Sequence, residues 1–412
     1  MRWKLTLIIL TLILSACTTD GTPLPPPEAA PASDAESEPI SPTDTPAPEP
    51  ATEVPTDTPA PLADGTPLPP TIAAPIVSSP GIIFLRMLNE LDGWGITENA
   101  IIRTTDGGST WYNVSPQGVT EFGYGTANTF LNATQAWVMV ADATDPAGSG
   151  LLYRTEDGGL MWTVFPVPFG GGKLAFTDET TGWMMASLGA GAGSMAIDMF
   201  RTDDGGATWT QFYTNDPNLA NAGDSLPLGG IKNHLTPLDA QTAWVGGVVY
   251  APATFYLYKT VDGGQTWAPQ TLPAAPGMQD TDVAIDNGPV FISASDGILP
   301  VRFMGETYRT GFYATHDGGT TWEFITFMPG SGAVDFVSPT DGFFWTGEQF
   351  FVTDDGAQTW TSVNSNVLFG ESFSGLDFVN ARTGWVWTYE LTGQYGLYKT
   401  TDGGATWMPL GE

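Results

Sequence analysis

The residues best suited to chemistry form one short cluster in the C-terminal half of the chain. Arg302, Glu306, Tyr308 and Arg309 lie within eight residues of one another. A guanidinium group can hold a carboxylate through two parallel hydrogen bonds, and a tyrosine beside a glutamate serves as the nucleophile in some glycoside hydrolases. The cluster is therefore compatible with binding or cleaving an acidic sugar. The same residues are also typical of a long, solvated hairpin with an internal ion pair, and we favour this second interpretation.

Other residues that support catalysis or metal binding are scarce. His234 and His316 are the only histidines in the sequence, and no set of His and Cys has metal-ligand spacing. The paired aspartates at 203–204 and 354–355 lack the alternating spacing of a calcium loop. No glycine-rich phosphate loop precedes a helical stretch. We therefore expect no metal, no nucleotide and no other cofactor.

Seven near-copies of one octet organise the chain after residue 100. The first copy runs from Thr104 to Trp111, and the shared pattern is T-x-D-G-[GA]-x-[TM]-W. Its aspartates are Asp106, Asp157, Asp204, Asp262, Asp317, Asp355 and Asp402, and its tryptophans are Trp111, Trp162, Trp209, Trp267, Trp322, Trp360 and Trp407. We expect each aspartate to accept hydrogen bonds from N–H groups two or three residues on, while the glycines supply the positive φ of a tight hairpin. Each octet is then a structural turn whose tryptophan begins the returning strand and is buried.

A second repeated signal lies upstream of every octet. An apolar residue stands seven positions before an aromatic residue that usually follows Gly or Ala, as Phe130 stands before Trp137. By this rule the fifth unit is assigned to Ala284 and Phe291. A short apolar run then leads to the octet, and in five units it ends in a cation: Arg103, Arg154, Arg201, Lys259 and Lys399. We therefore predict four short strands in each unit.

The interval between octets, 38 to 58 residues, indicates an array of blades. Radial repetition buries both faces of small sheets, so we predict an all-β fold: one seven-bladed β-propeller of four-stranded blades at residues 81–412. The octets and the Gly-Trp turns are expected on one face. Length variation is expected on the opposite face, where a binding surface can vary, with the longest interval between aromatic and octet tryptophan, 31 residues, in blade 5.

The N-terminus has the features of an export signal. Two cations precede a ten-residue apolar run and the string L-S-A-C, which resembles the bacterial lipobox and ends at Cys17, the only cysteine. We predict a lipoprotein signal peptide at 1–16, lipid modification of Cys17, and a disordered Pro/Thr/Ala-rich linker at 17–80. The mature protein is then an exported, membrane-anchored lipoprotein on the cell surface or facing the periplasm.

The composition limits the partners. A formal net charge of −32 excludes ordinary nucleic-acid binding, which depends on Lys and Arg neutralising phosphates. It also disfavours contact with an anionic lipid surface except through the anchor at Cys17. A cationic or neutral partner fits better than an acidic one. We expect a monomer.

Together, these motifs resemble the photosystem II stability and assembly factor family. The resemblance consists of the lipobox leader together with F-x6-[GA]-W and hx[RK]T-x-D-G-G-x-T-W repeated seven times, and the repeats extend it over roughly residues 81–412. It implies a non-enzymatic, membrane-associated binding or assembly scaffold with a protein or glycan partner. The arginine cluster associated with that family has no visible counterpart here. The octet alone also occurs in sialidases and sortilin-type receptors, so the alternative is a sialidase-type glycoside hydrolase or a carbohydrate-binding propeller.

Overall fold

The computed structural model describes residues 74–411 apart from 124–125, 143–144, 146–147 and 391. The regular secondary structure of these residues is β, with one 3-10 turn at Gly370–Ser372. None of the described residues form a helix long and apolar enough to cross a membrane. The predicted signal peptide, Cys17 and the linker up to residue 73 lie outside the described residues.

The strands form seven blades in chain order. Blades 1 and 2 contain β1 (Ile82–Met87), β2 (Gly93–Thr97), β3 (Ile101–Thr104), β4 (Tyr112–Asn113), β5 (Ala127–Phe130), β6 (Ala136–Ala141), β7 (Gly150–Thr155) and β8 (Thr163–Val167). Blades 3 and 4 contain β9 (Gly172–Phe176), β10 (Gly182–Gly191), β11 (Ser194–Thr202), β12 (Thr210–Thr214), β13 (Ile231–Pro237), β14 (Ala243–Val248), β15 (Tyr256–Thr260) and β16 (Ala268–Pro269). Blade 5 contains β17 (Asp282–Ala284), β18 (Val290–Phe291), β19 (Gly297–Met304), β20 (Tyr308–Thr315) and β21 (Glu323–Pro329). Blades 6 and 7 contain β22 (Ala333–Phe336), β23 (Gly342–Trp345), β24 (Phe350–Thr353), β25 (Thr361–Val363), β26 (Phe373–Phe378), β27 (Gly384–Tyr389), β28 (Tyr395–Thr400) and β29 (Met408–Leu410).

Antiparallel pairing of consecutive strands builds each blade. Five blades are separate four-stranded sheets, while blades 4 and 5 join into one nine-stranded sheet through the single pair Val248 and Ala284. The first strands of neighbouring blades pack together, as β5 with β9 and β22 with β26, and β26 packs against β1. The last contact closes the ring. The structure therefore confirms the predicted all-β, seven-bladed propeller.

Aromatic ring contacts join several pairs of neighbouring blades. The Trp137 ring of blade 2 stacks on the Phe176 ring of blade 3 with 4.0 Å between centroids. The buried indole of Trp137 also donates a hydrogen bond to the Gly205 carbonyl of that blade, at 2.9 Å. Trp385 repeats the bond across the closing joint, to the Gly107 carbonyl of blade 1 at 2.9 Å. The second repeated signal of the sequence is therefore the contact between blades.

Blade 5 corrects one sequence assignment. Phe291 pairs with Gly297 in the register that Phe130 and Ala136 have in blade 2, and its ring packs on Trp244 of blade 4 at 4.5 Å. Phe291 is thus the first-strand residue, and Ile298 occupies the tryptophan position, so the assignment to Ala284 and Phe291 was wrong. Because the side chain at this position is aliphatic, a pattern that requires an aromatic residue does not match it. With the corrected register, the interval to the octet tryptophan is 24 residues in blade 5, and the longest, 26, lies in blade 3.

The octets have one hydrogen-bonding scheme in all seven blades. In blade 4 the Thr260 hydroxyl donates to Asp262 Oδ1 at 2.8 Å and accepts from the N–H of Gly264 at 2.9 Å. The Asp262 carboxylate accepts from the N–H of Thr266 at 3.0 Å, four residues on rather than the expected two or three. The threonine hydroxyl therefore accepts the buried N–H of the turn, and the aspartate accepts the exposed N–H.

The octets and the turns between first and second strands share a face, as predicted. The N–H of the octet's first glycine donates to a carbonyl of that turn in every blade, for example Gly205 to Thr180 at 2.8 Å. The repeated cations lie at the same level and reach the next blade. Lys259 Nζ, for instance, donates to the Gly318 carbonyl at 2.8 Å. These cations are part of the contacts between blades.

The N-terminal segment before β1 belongs to the packed ring. Ile76 forms an antiparallel bridge to Tyr112 on the outer strand of blade 1, and the Val77 N–H donates to the Trp111 carbonyl at 2.8 Å. The Ser79 hydroxyl then donates to the Gly411 carbonyl at 2.9 Å, after the last strand of blade 7. Contacts with the ring therefore begin before residue 81, the predicted domain boundary.

Candidate functional site

The hairpin that contains Arg302, Glu306, Tyr308 and Arg309 is regular and extends beyond its neighbour. Strands β19 and β20 stay paired up to Met304 and Tyr308, and β21 continues the sheet to the pair of Arg309 with Pro329. Both β19 and β20 have eight residues, whereas β23 and β24 of blade 6 have four. Four extra residues per strand correspond to an overhang of about 13 Å. The overhang lies on the face opposite the octets.

An open cleft of about 1210 Å³ lies beneath this overhang and is hereafter the blade 5–6 cleft. One wall is the hairpin tip with Glu306, Tyr308 and Arg309, and the other is the end of blade 6. The residues lining it from blade 6 and the following loop include Trp345, Glu348, Gln349, Phe351, Asn364 and Leu368. Leu368 is 81% exposed and Tyr308 is 53% exposed. The cleft therefore combines accessible apolar and acidic groups with one exposed cation, Arg309.

A smaller cavity of about 200 Å³ lies beside the cleft and is lined by Asp286, Asn287 and Arg302 among others. Arg302 makes two hydrogen bonds to the Asp286 carboxylate, Nε to Oδ2 at 2.6 Å and Nη2 to Oδ1 at 2.9 Å. This carboxylate raises the pKa of Arg302. Ser331 lines both spaces. The predicted ion pair is therefore not internal to the hairpin: Arg302 pairs with Asp286, which lies between β17 and β18.

The structure does not bring the two arginines of the hairpin together. Arg302 is paired across the strands with Thr310 and lies over the Tyr308 ring, with 5.9 Å from Cζ to the centroid. Arg309 pairs with Phe303 on the alternate face and lies over Phe327, also at 5.9 Å. Neighbouring positions on a strand point to opposite faces, so the two guanidinium groups diverge. A carboxylate held by both at once is incompatible with this register.

The octet aspartates do not converge on a site either. Each belongs to the turn of its own blade, and among the described residues no group of three or more His, Cys, Asp or Glu could hold a metal. Burial raises the pKa of Asp262, but the hydrogen bonds from Thr266 and Thr260 outweigh it, and the net shift is downward. In blade 5 the N–H and hydroxyl of Thr321 lower the pKa of Asp317 to about 2. These carboxylates are ionised acceptors within turns.

A pair of carboxylates, Asp377 buried and Asp335 half-buried, was not predicted from the sequence. Asp335 and Asp377 precede the first-strand phenylalanines of blades 6 and 7, and each accepts the N–H of the corresponding residue in the next blade. Burial raises the pKa of both carboxyls, that of Asp377 to about 7. Arg86 donates to Asp377 at 3.1 Å. Because each carboxylate already serves a backbone N–H, we assign the pair to ring closure.

Nearly all cations of the propeller are used internally. From residue 74 onward the sequence has 35 acidic residues and 11 Lys and Arg. Lys232 is buried, and its ammonium donates to three carbonyls at 2.8 to 3.1 Å. Lys173 and Arg309 are the two exposed cations of the described chain without an ion pair or hydrogen bond. The accessible surface is therefore strongly acidic.

No protein-family model and no curated protein matches this chain. A solved structure titled "YCF48 bound to D1 peptide" is similar with a TM-score of 0.50 and 15% identity, over 80% of this chain and 94% of that one. The GH74 enzyme of Niastella koreensis is similar with a TM-score of 0.51 and 17% identity, over 81% of this chain and 55% of the enzyme. This chain thus spans about half the length of that enzyme. At such identities the likeness shows the fold, a β-propeller.

Proposed function

We propose that this protein is an exported, lipid-anchored binding scaffold that docks a partner protein in the blade 5–6 cleft and catalyses no reaction. The observation that carries the proposal is the form of the cleft. A rigid paired hairpin overhangs a shorter blade, and the space between them is open, amphipathic and about 1210 Å³. Concave surfaces of mixed polarity on a rigid scaffold are typical of binding sites.

The arrangement of the candidate catalytic residues supports a binding role. Arg302 is already bound by Asp286, and Arg309 lies on the other face of the hairpin. Within the described part of the chain, no hydrogen bond joins the side chains of Glu306 and Tyr308. A nucleophile and its base must lie within hydrogen-bond reach of each other.

Lipid modification of Cys17 supplies the membrane attachment in this proposal. Thioether and amide acylation at the lipobox cysteine fits the position and flanks of the only cysteine. The proline-rich segment that follows acts as a tether between the anchor and the ring. A structure of YCF48 has been solved with a bound D1 peptide, and by analogy we propose a protein partner for this chain.

A carbohydrate ligand is the second candidate because two exposed tyrosines flank Arg302. Tyr308 is 53% exposed and Tyr250, from blade 4, is 68% exposed. The hydrogen bond to Asp286 has the largest effect on the pKa of Arg302 and raises it, while burial lowers it. Both tyrosines lie close enough to raise this pKa further. Flat aromatic faces beside fixed polar groups suit sugar rings.

Site-specific photocrosslinking in the cells that make the protein tests the proposal. A benzophenone amino acid replaces Gln349 in the cleft, and the matched control replaces Gln265 on the octet face. We expect one defined protein adduct at position 349 and none at 265. The purified protein should release no sugar from sialosides or plant polysaccharides. Hydrolysis abolished by changes in the cleft, or equal adducts at both positions, would overturn the proposal.

A further inference from the structure

The distribution of charge indicates which partner the blade 5–6 cleft accepts. Arg154, Arg201, Lys259 and Lys399 donate to carbonyls of the next blade, and Arg103 pairs with Asp92 of its own blade. Arg86, Arg302 and Lys232 are also bound internally. From residue 74 onward the 35 acidic residues outnumber all 11 Lys and Arg about threefold, and they face solvent in large part. Such a surface attracts a basic partner over distances of about 10 Å at moderate salt and repels an acidic one.

Two acidic side chains stand on opposite walls of the cleft. Glu306 lies at the tip of the β19–β20 hairpin, and Glu348 lies in the turn between β23 and β24. Both side chains are exposed, and in the described part of the chain neither has an ion pair. Arg309, the remaining charge of the hairpin tip, lies over Phe327. A cation between the walls would therefore meet two unused carboxylates.

The apolar part of the cleft offers a fixed contact between these acids. Leu368 is 81% exposed, yet the next residue, Phe369, is buried and packs on Trp407 at 5.5 Å. The buried neighbour fixes the backbone that holds Leu368 outward. Phe351 lines the same space from β24. An exposed leucine on an anchored backbone favours an apolar side chain of the partner.

The dimensions favour an extended chain. The overhang of about 13 Å equals about four residues of extended polypeptide. This ring also accepts an extended segment elsewhere, because residues 75–77 pair with β4 along the rim of blade 1. We infer that the blade 5–6 cleft binds an extended basic segment of a protein, with its cations at Glu306 and Glu348 and an apolar residue at Leu368. This inference rests on the proposed binding function and specifies its partner.

A peptide titration tests the inference on the full-length chain in a non-ionic detergent. The probe is a fluorescent ten-residue peptide of alternating Lys and Leu, and the comparison peptide alternates Glu and Leu. We expect the lysine peptide alone to bind. Glu306→Gln with Glu348→Gln should weaken it at least about tenfold, and Leu368→Ser should weaken it as well.

The matched control removes the same charge from the octet face. Asp203 and Asp354 are exposed and have no bonded partner among the described residues, so Asp203→Asn with Asp354→Asn should change the affinity less than about twofold. Equal weakening by both double variants, or equal binding of the glutamate peptide, would overturn the inference. If neither peptide binds while the adduct at position 349 persists, the basic partner is wrong and the binding function stands. If neither peptide binds and the adduct at position 349 is also absent, the inference and the proposed binding function are both overturned.

Discussion

The carboxylate of Asp377 in blade 7 accepts the backbone N–H of Met87 in blade 1, with 2.5 Å between oxygen and nitrogen. Asp335 makes the same contact one blade earlier, to the N–H of Phe378 at 2.6 Å. Arg86 supplies the nearby positive charge, 3.1 Å from Asp377. One guanidinium group therefore accompanies a buried and a half-buried carboxylate near the joint where the ring closes.

This joint makes stability depend on pH. Burial raises the pKa of Asp377 to about 7, Arg86 opposes the shift, and Asp335 adds to it. The folded chain thus binds this proton more tightly than the unfolded chain, whose aspartates titrate near about 4. The stabilisation is complete below about pH 4 and is lost as the pH rises through 7. We expect Asp377→Asn, which keeps an oxygen for Met87, to raise the melting temperature at pH 8 and leave it nearly unchanged at pH 5.

Thermal unfolding of both proteins in matched buffers checks this expectation. Asp203→Asn is the control, because Asp203 is exposed and has no bond to any residue of the described part of the chain. It should shift the melting temperature equally at the two pH values. A variant at position 377 that is destabilised more at pH 8 than at pH 5 would show that the ionised carboxylate holds the joint.

The octet hydroxyl should matter more than the octet carboxylate. In blade 4 the hydroxyl of Thr260 is buried and satisfies the N–H of Gly264. We expect Thr260→Val to lower the free energy of unfolding by about 1–3 kcal/mol, because a buried donor loses its partner. Asp262→Ala should cost less, since water can reach the N–H of Thr266. Urea unfolding of the two variants gives the order, and a larger effect of Asp262→Ala contradicts it.

The corrected register of blade 5 makes Phe291 a contact between blades. Its ring packs on the buried indole of Trp244 at 4.5 Å. Phe291→Ala should lower the free energy of unfolding by about 2–4 kcal/mol through lost burial and the cavity left behind. Phe84→Ala, at a phenylalanine 38% exposed, should cost less than half as much. Equal losses in denaturant titrations would place Phe291 outside the joint.

The two arginines of the hairpin should be dispensable for folding. Arg302 and Asp286 are both partly exposed, and such ion pairs contribute about 0–1 kcal/mol. We expect Arg302→Ala with Arg309→Ala to keep the circular dichroism spectrum and to unfold within about 1 kcal/mol of the parent. Neither protein should cleave fluorogenic sialosides. Turnover by the parent above a heat-treated control, lost in the double variant, would favour the hydrolase.

The anchor prediction concerns Cys17. Its thiol is the acylation site in the lipobox interpretation, and no second cysteine can replace it. Cys17→Ser should therefore abolish incorporation of radiolabelled palmitate and leave the precursor uncleaved by the lipoprotein peptidase. Cys17→Ala serves as the second variant and should behave identically. Unchanged labelling of either protein is incompatible with the prediction.

The architecture could be predicted because its determinants are local and repeated. Each octet specifies its own turn, and in six of the seven blades a first-strand residue such as Phe176 stands seven positions before a tryptophan or phenylalanine. Blade 5 was misassigned because Ile298 replaces the aromatic there. Gly297, six residues after Phe291, preserves the spacing and was the available signal.

The candidate site was less predictable because it depends on contacts between distant segments. The sequence grouped Arg302 with Arg309, but strand alternation places them on opposite faces. Asp286, the true partner of Arg302, lies in an earlier segment that carries no motif. Leu368 has no sequence signal at all, since its exposure follows from the buried neighbour at 369. The pair of Asp335 and Asp377 was likewise not predicted, because each carboxylate accepts its hydrogen bond from the following blade.

The bridge of Ile76 to Tyr112 and the bond of Ser79 to Gly411 determine where a force on the N-terminal segment acts on the ring. Any pull on the chain before residue 74 enters at blade 1 and is shared at once with the C-terminus in blade 7. The load therefore meets the joint where the first and last blades close, whereas blades 4 and 5, which share one sheet, lie far from it in the ring. Under tension the circle should part at this joint, and the side that carries the blade 5–6 cleft should be the last to lose its form.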